Sequence, residues 1–193
     1  MRHVARLAAF LLLVGPALSE PFHHPFGEWR EYNRDWLAAC PDAIDEDSAD
    51  YYGYSCFAST GSQAQNSAGL PAYKLTLIRN RLTGELDLAV TIALDDARMD
   101  ESRPLQLLFG NDERVSLSVG AELETRFNVV NQYFVADAGI EADLIARMKE
   151  GASVRLLVPL VGEEEPEEVW LSLQGVLASL DFMAAYARKV AQY

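Results

Sequence analysis

Histidine, cysteine and positive charge are all scarce in this 193-residue chain, and each scarcity removes a class of function. There are three histidines, and His23 and His24 are neighbours. A serine triad needs an imidazole held rigidly between a nucleophile and a carboxylate. His23 and His24 fall in the Pro- and Phe-rich stretch Pro21 to Phe26. That stretch is expected to be mobile, a poor platform for a base. The only cysteines are Cys40 and Cys56; a structural zinc site takes about four ligands, and past the first 19 residues the only histidines to join them are the adjacent His23 and His24, so a zinc site is not expected. Lys and Arg number 16 against 29 Asp and Glu, for a formal net charge of -13. Binding nucleic acid requires clustered cations that displace counterions from phosphates, so no nucleic-acid partner is expected. The same sign disfavours docking on an anionic membrane. No glycine-rich phosphate loop occurs, and no apolar run reaches the ~20 residues that span a hydrocarbon core. No cofactor, metal or catalytic residue is therefore assigned. Among 29 acids a glycosidase-like carboxylate pair cannot be singled out.

What is present begins with an export signature. Met1 to Arg6 is short and basic, and Leu7 to Val14 is apolar. Gly15-Pro16 breaks the run, and Ala17-Leu18-Ser19 places small residues just before Glu20. This grammar predicts a signal peptide over residues 1–19 and one domain over residues 20–193. No cysteine follows the apolar run, so a lipid anchor is not expected. Losing Arg2 and Arg6 takes the 16 basic residues to 14 and the net charge from -13 to -15. In an exported chain an even cysteine count predicts a disulfide, here Cys40–Cys56. A loop of that size contributes about 3 kcal/mol in the chain-entropy model. The loop carries Asp42, Asp45, Glu46, Asp47 and Asp50, but not the acid-and-glycine register of an EF-hand. It reads as a solvated acidic loop.

Period-two alternation dominates the rest. Leu75 and Leu77 form one alternating segment, and Leu86, Leu88, Val90, Ile92 and Leu94 another, joined by the hairpin-sized connection Asn80 to Gly84. Further strands are expected at Trp29 to Cys40, Tyr54 to Ser59, Leu105 to Phe109, Val115 to Val119, Leu123 to Asn128, Tyr133 to Ala136, Val154 to Leu160 and Val169 to Leu173. Thr60 to Pro71, rich in Gly, Ser, Gln and Asn, reads as a loop. So does the acidic Gly162 to Glu168. The period changes at Ile140, Leu144, Ile145 and Met148, with Gly151 as a stop, and again over Val176 to Ala187. Two helices are expected, the second C-terminal. The fold class is mainly β: an antiparallel sandwich or barrel-like sheet with two helices.

Several of these segments resemble the invasion-associated locus B family of exported bacterial proteins. Asp35-Trp36 with Cys40, after Phe26-Gly27-Glu28-Trp29, is similar to that family's opening, and Cys56-Phe57-Ala58-Ser59 to its second half-cystine. The helix Asp143 to Gly151, the strand Ser153 to Val158, and the passage from Val169 to Leu173 through Gln174-Gly175-Val176 into a helix match the family's end in order. Members usually carry a second cysteine pair just before the first helix. Here the corresponding stretch, Asn131 to Gly139, has none. The resemblance implies a β-sandwich, export to the periplasm or beyond and an association with host-cell entry, and it implies no catalytic motif.

The functional expectation is a non-catalytic binding protein of the periplasm or cell envelope with a protein partner. The alternative is an acidic secreted inhibitor of a basic hydrolase such as a lysozyme-like enzyme, steered by charge. Tyr51, Tyr52 and Tyr54, beside the predicted disulfide, are the candidate binding surface, since aromatics are enriched at recognition sites. Edging the core is the other reading of the three. Trp29 and Trp36 are expected to pack on the sheet.

Overall fold

The computed structural model describes residues 20–48, 50–110 and 113–190; the predicted signal peptide lies outside them. The alternating segments form strands that pair with their sequence neighbours. β1 (Phe22–His24), β2 (Glu28–Asn33), β3 (Trp36–Pro41), β4 (Ser55–Gly61), β5 (Tyr73–Asn80) and β6 (Leu86–Ile92) run as an antiparallel meander. The chain then leaves for a second sheet with β7 (Leu105–Phe109) and β8 (Glu113–Leu117), and returns with β9 (Leu123–Thr125) and β10 (Gln132–Val135). Helix α1 (Ala138–Glu150) leads back to the second sheet as β11 (Ser153–Val158) and β12 (Glu167–Ser172), and α2 (Val176–Val190) follows. The large sheet has the order β1-β2-β3-β4-β5-β6-β10-β9 and the small one β12-β11-β7-β8. The two sheets do not close into a barrel, so of the two expected β architectures the sandwich is the one present, with two helices.

Strand alternation decides what lies between the layers. On the inner face of the large sheet, Glu31, Ala38, Ala58, Leu77 and Leu88 form one cross-strand row. All but Glu31 are fully buried. From the small sheet Leu105, Leu107, Val154, Leu156, Val158, Val169 and Leu171 meet them in one continuous core, together with Leu144 and Met148 of α1 and Val176, Leu180 and Met183 of α2. Hydrogen bonds tie the layers at their polar rim, three of them close to β12. Trp36 Nε1 donates to the Ser172 carbonyl at 3.0 Å, Tyr73 Oη to Glu167 at 2.5 Å, and Ser172 Oγ to Asp35 at 2.5 Å. Trp36 is buried as expected, whereas Trp29 sits at the rim, partly exposed against Tyr186 of α2.

Local chemistry sets the helix ends. The Asp137 carboxylate accepts from the Gly139 and Ile140 amides and caps α1, satisfying donors that a helix start leaves orphaned. Before α2, Gly175 has φ +109°, and a Cβ there would lie 1.8 Å from the Asn33 carbonyl oxygen. Only glycine lets the β2–β3 turn dock on this helix start.

Three expectations need correction. Trp29 to Cys40 is two strands, because Arg34, at φ +56°, and Asp35 turn the chain into a hairpin. The strand expected over Leu123 to Asn128 stops at Thr125, because Phe127 and Asn128 take positive φ values of 57° and 58°, which no strand tolerates. Pro21 to Phe26 is not left loose: β1 pairs with β2 in register Phe22 to Arg30, and His23 Nε2 lies 2.5 Å from the Asp42 carboxylate.

Candidate functional site

The site is built on the other face of the large sheet. Register places Phe22, Arg30, Ala39, Phe57, Ile78 and Asp87 in one row there, and Tyr32, Leu37, Ser59, Thr76, Ala89 and Phe134 in the next. No second sheet covers this face. Its centre is covered by the disulfide loop folded back on it. Cys40 and Cys56 are bonded, one step beyond the last paired residues of β3 and β4, Ala39 and Phe57. The bond therefore pins the base of the loop. Asp50 caps a short 3-10 turn, Tyr51–Gly53, by accepting from the Tyr52 amide at 2.9 Å. Arg81, buried, donates to the carbonyls of Pro41 at 2.7 Å and Ala43 at 3.4 Å. Its own amide donates to the Tyr54 carbonyl. The loop is thus held at both ends by one residue of the β5–β6 turn.

The tyrosine group divides. Tyr51 is 4% exposed and packs on Ile78, Ala89 and Phe134, its hydroxyl accepting from Gln132 Nε2 at 3.0 Å. Desolvation pushes its hydroxyl far above the usual tyrosine range. Tyr52 lies over Tyr51 with ring centroids 4.3 Å apart, meets Phe57 edge-on, and is 43% exposed. Tyr54 is half-buried. Tyr51 is thus a core residue of the outer face, and Tyr52 is the one presented to solvent. The exposed patch continues through Tyr32, one of the aromatics that the sequence concentrates near the cysteines, and through Phe22 and Phe26, which the sequence did not single out. Phe22 stacks on Tyr32 at 5.9 Å, and Phe26, 81% exposed, lies against His24 with the Arg30 guanidinium over its ring. The alternation of Arg30 and Tyr32 was a signal for this, hidden by reading β2 and β3 as one strand.

Two depressions open on this face, and the second is lined in part by the loop. One, of about 590 Å³, is formed by Tyr32, Leu37, Ser59, Lys74, Leu70 and Pro71. The other, about 470 Å³, opens beneath Tyr51 and Tyr54 and is floored by Ser55, Asp87, Arg126 and Glu141. Arg126 pairs with Asp87 at 2.8 Å and Glu124 at 2.6 Å while its guanidinium sits 4.8 Å above the Phe134 ring. Glu141, in the first turn of α1, accepts from the Leu88 amide at 2.6 Å. The ladder between β6 and β10 ends at Ala89 and Phe134, and the carboxylate takes the next amide. Burial, reinforced by Asp87, pushes the Glu141 carboxyl up to about 7 against the pull of the Leu88 amide and Arg126.

Three of the five acids of the disulfide loop are spent locally, and Glu46 and Asp47 face solvent. Asp42 meets His23, Asp45 accepts from the Asp47 amide, and Asp50 caps the turn. Among the described residues no group of three or more His, Cys, Asp or Glu is arranged to hold a metal ion. In the second acidic segment Arg103 binds the carbonyls of Leu160, Glu163 and Glu164, and the Glu163, Glu164 and Glu165 side chains stay in solvent. No described helix is long and apolar enough to cross a membrane.

No protein-family model matches the chain, and no curated protein matches its sequence. A solved structure does. The crystal structure of invasion associated protein b from Bartonella henselae superposes with a TM-score of 0.54 at 14% identity, over 82% of this chain and 98% of that one. The likeness read from Trp36, the two cysteines and the order of the last elements therefore holds at the level of architecture: this chain has the fold of invasion associated protein b.

Proposed function

We propose that the protein is exported through residues 1–19 to the periplasm or cell envelope and acts there, without catalysis, by binding a protein partner through the outer face of the large sheet. The observation that carries this reading is the exposure of Phe22, Phe26, Tyr32 and Tyr52 on that face, outside a core already complete between the sheets. Aromatic side chains left in water are the usual anchors of a recognition site. Site-directed photo-cross-linking tests it. Probes at Tyr52 and Tyr32 should capture one partner that a probe at Leu177, exposed on α2, does not. Equal capture from all three positions refutes the reading. An amino terminus other than Glu20 on the exported chain refutes the processing step.

A second reading is inhibition of a basic hydrolase. The net charge of -13 and the solvent-facing Glu163 to Glu165 favour it. Such a complex forms fast and weakens steeply with salt. A partner retained unchanged at high salt excludes it.

A further inference from the structure

We infer that the cleft beneath Tyr51 is a binding site for a cationic group, a guanidinium or primary ammonium, with Glu141 as its counter-ion and Ser55 as a hydrogen-bonding floor. This deepens the reading of the outer face as a recognition surface.

Two independent observations carry it. The first is unbalanced charge in a confined space. Arg126 is the one cation among the residues lining the cleft, and it is engaged by both Asp87 and Glu124. That leaves Glu141, which feels Arg126 only through its field and forms no ion pair, as the half-buried acid of the lining; Glu85 is exposed and accepts from the Thr83 hydroxyl. One oxygen of Glu141 holds the Leu88 amide, and the other carries the remaining negative charge in a half-buried position. Buried carboxylates are stable when paired, and an incoming cation completes that pairing. The second observation is Ser55. It is 0% exposed, lines the cleft, and its hydroxyl has no hydrogen-bond partner. Buried hydroxyls almost always find partners within the fold; this one lies just below the accessible surface of the cleft, and a ligand's N–H reaches it by parting the side chains above it. The cleft walls are the edge-on aromatic triad Tyr51, Phe127 and Phe134, whose apolar surfaces suit the methylene stem that carries a guanidinium or ammonium.

The titratable groups facing Glu141 are Asp87 on β6, Glu85 in the turn before it, Arg126 after β9, and Tyr51 and Tyr54 of the disulfide loop. Glu141 must be ionised to bind, and its carboxyl is held up to about 7. A cation should therefore bind about tenfold more weakly at pH 6 than at pH 8.

The test uses the exported chain, amide and carboxyl NMR, and two probes: agmatine, and a blocked glycyl-arginyl-glycine tripeptide. The expected result is saturable shifts at Ser55, Leu88 and Phe127, about tenfold weaker at pH 6, and lost in Glu141→Gln. Ser55→Ala should weaken binding without lowering the melting temperature, because its hydroxyl has no partner to lose. Tighter binding of the tripeptide places the cation on a protein side chain; tighter binding of agmatine places it on a free amine. No shift with either probe at pH 8, or equal affinity in both variants, overturns the proposal. Cross-linking from Tyr52 would be unaffected by that failure, so the two readings fail separately.

Discussion

The two faces of the large sheet are made by the same strands, residue by residue, yet they are different materials. Leu77 faces inward and is sealed beneath the small sheet; Ile78, its neighbour, faces outward and is sealed by Tyr51 and Phe134. The inner face is continuous and apolar. The outer face is a small aromatic cluster with a charged cleft on one side and solvent-facing rings on the other. Alternation alone creates the difference: every strand contributes to both faces, so stability and recognition are carried by alternate residues.

Truncations on the two faces measure this contrast. Leu77→Ala should cost about 3–4 kcal/mol in urea unfolding, because the site is fully buried between two layers that cannot both collapse into the cavity. Replacing Cys40 and Cys56 together by Ala should cost about 3 kcal/mol. It should also loosen Tyr51, read as exchange broadening at Gln132. Ile78→Ala, on the outer face, should cost about 2 kcal/mol, since the disulfide loop can settle onto the smaller side chain. A loss equal to that of Leu77→Ala would show that the outer cluster is as rigid as the core.

The next effect is smaller and depends on pH. Glu141 has a folded pKa of about 7, raised above its value in the unfolded chain. The native state therefore binds more protons through that interval. Its contribution to stability is fully present below the ordinary carboxylate range and is lost as pH rises through about 7. Since Glu141 is only half-buried, the loss should be about 1 kcal/mol after solvent screening. Glu141→Gln keeps an acceptor for the Leu88 amide. It should flatten the melting temperature between pH 5 and pH 8, and an unchanged slope would assign the pH dependence elsewhere. Smallest of all, Tyr52→Ala should change stability by no more than about 0.5 kcal/mol while abolishing partner capture from the outer face.

The faces also differ in how far the sequence disclosed them. Leu75, Leu77, Leu88 and Val90 alternate so plainly that the inner face, the sheet class and both helices could be read directly, and the cysteine pair followed from export. The outer face could not. Tyr51 is buried because it packs on Ile78, Ala89 and Phe134, with Gln132, 81 residues away, donating to its hydroxyl, and no local pattern separates it from Tyr52. Glu141 is one acid among 29; its role comes from a ladder that ends early, a tertiary event. The turn at Arg34 has neither Gly nor Pro to announce it, and so Trp29 to Cys40 reads as one strand where there are two.

The position of the disulfide has a consequence for timing. Cys40 and Cys56 are 2% and 0% exposed, on the face of β3 and β4 that α2 crosses, and α2 is the last element of the chain. Oxidation is therefore expected to precede the docking of α2, while both thiols are still open to an oxidant. In the folded protein the bond is buried in the core that α2 helps to close, and a reductant should work only as fast as that core opens. The C-terminal helix is in this sense a latch on the covalent history of the N-terminal strands: a chain truncated before Val176 should still oxidise, and should lose its disulfide again to mild reductant within the mixing time.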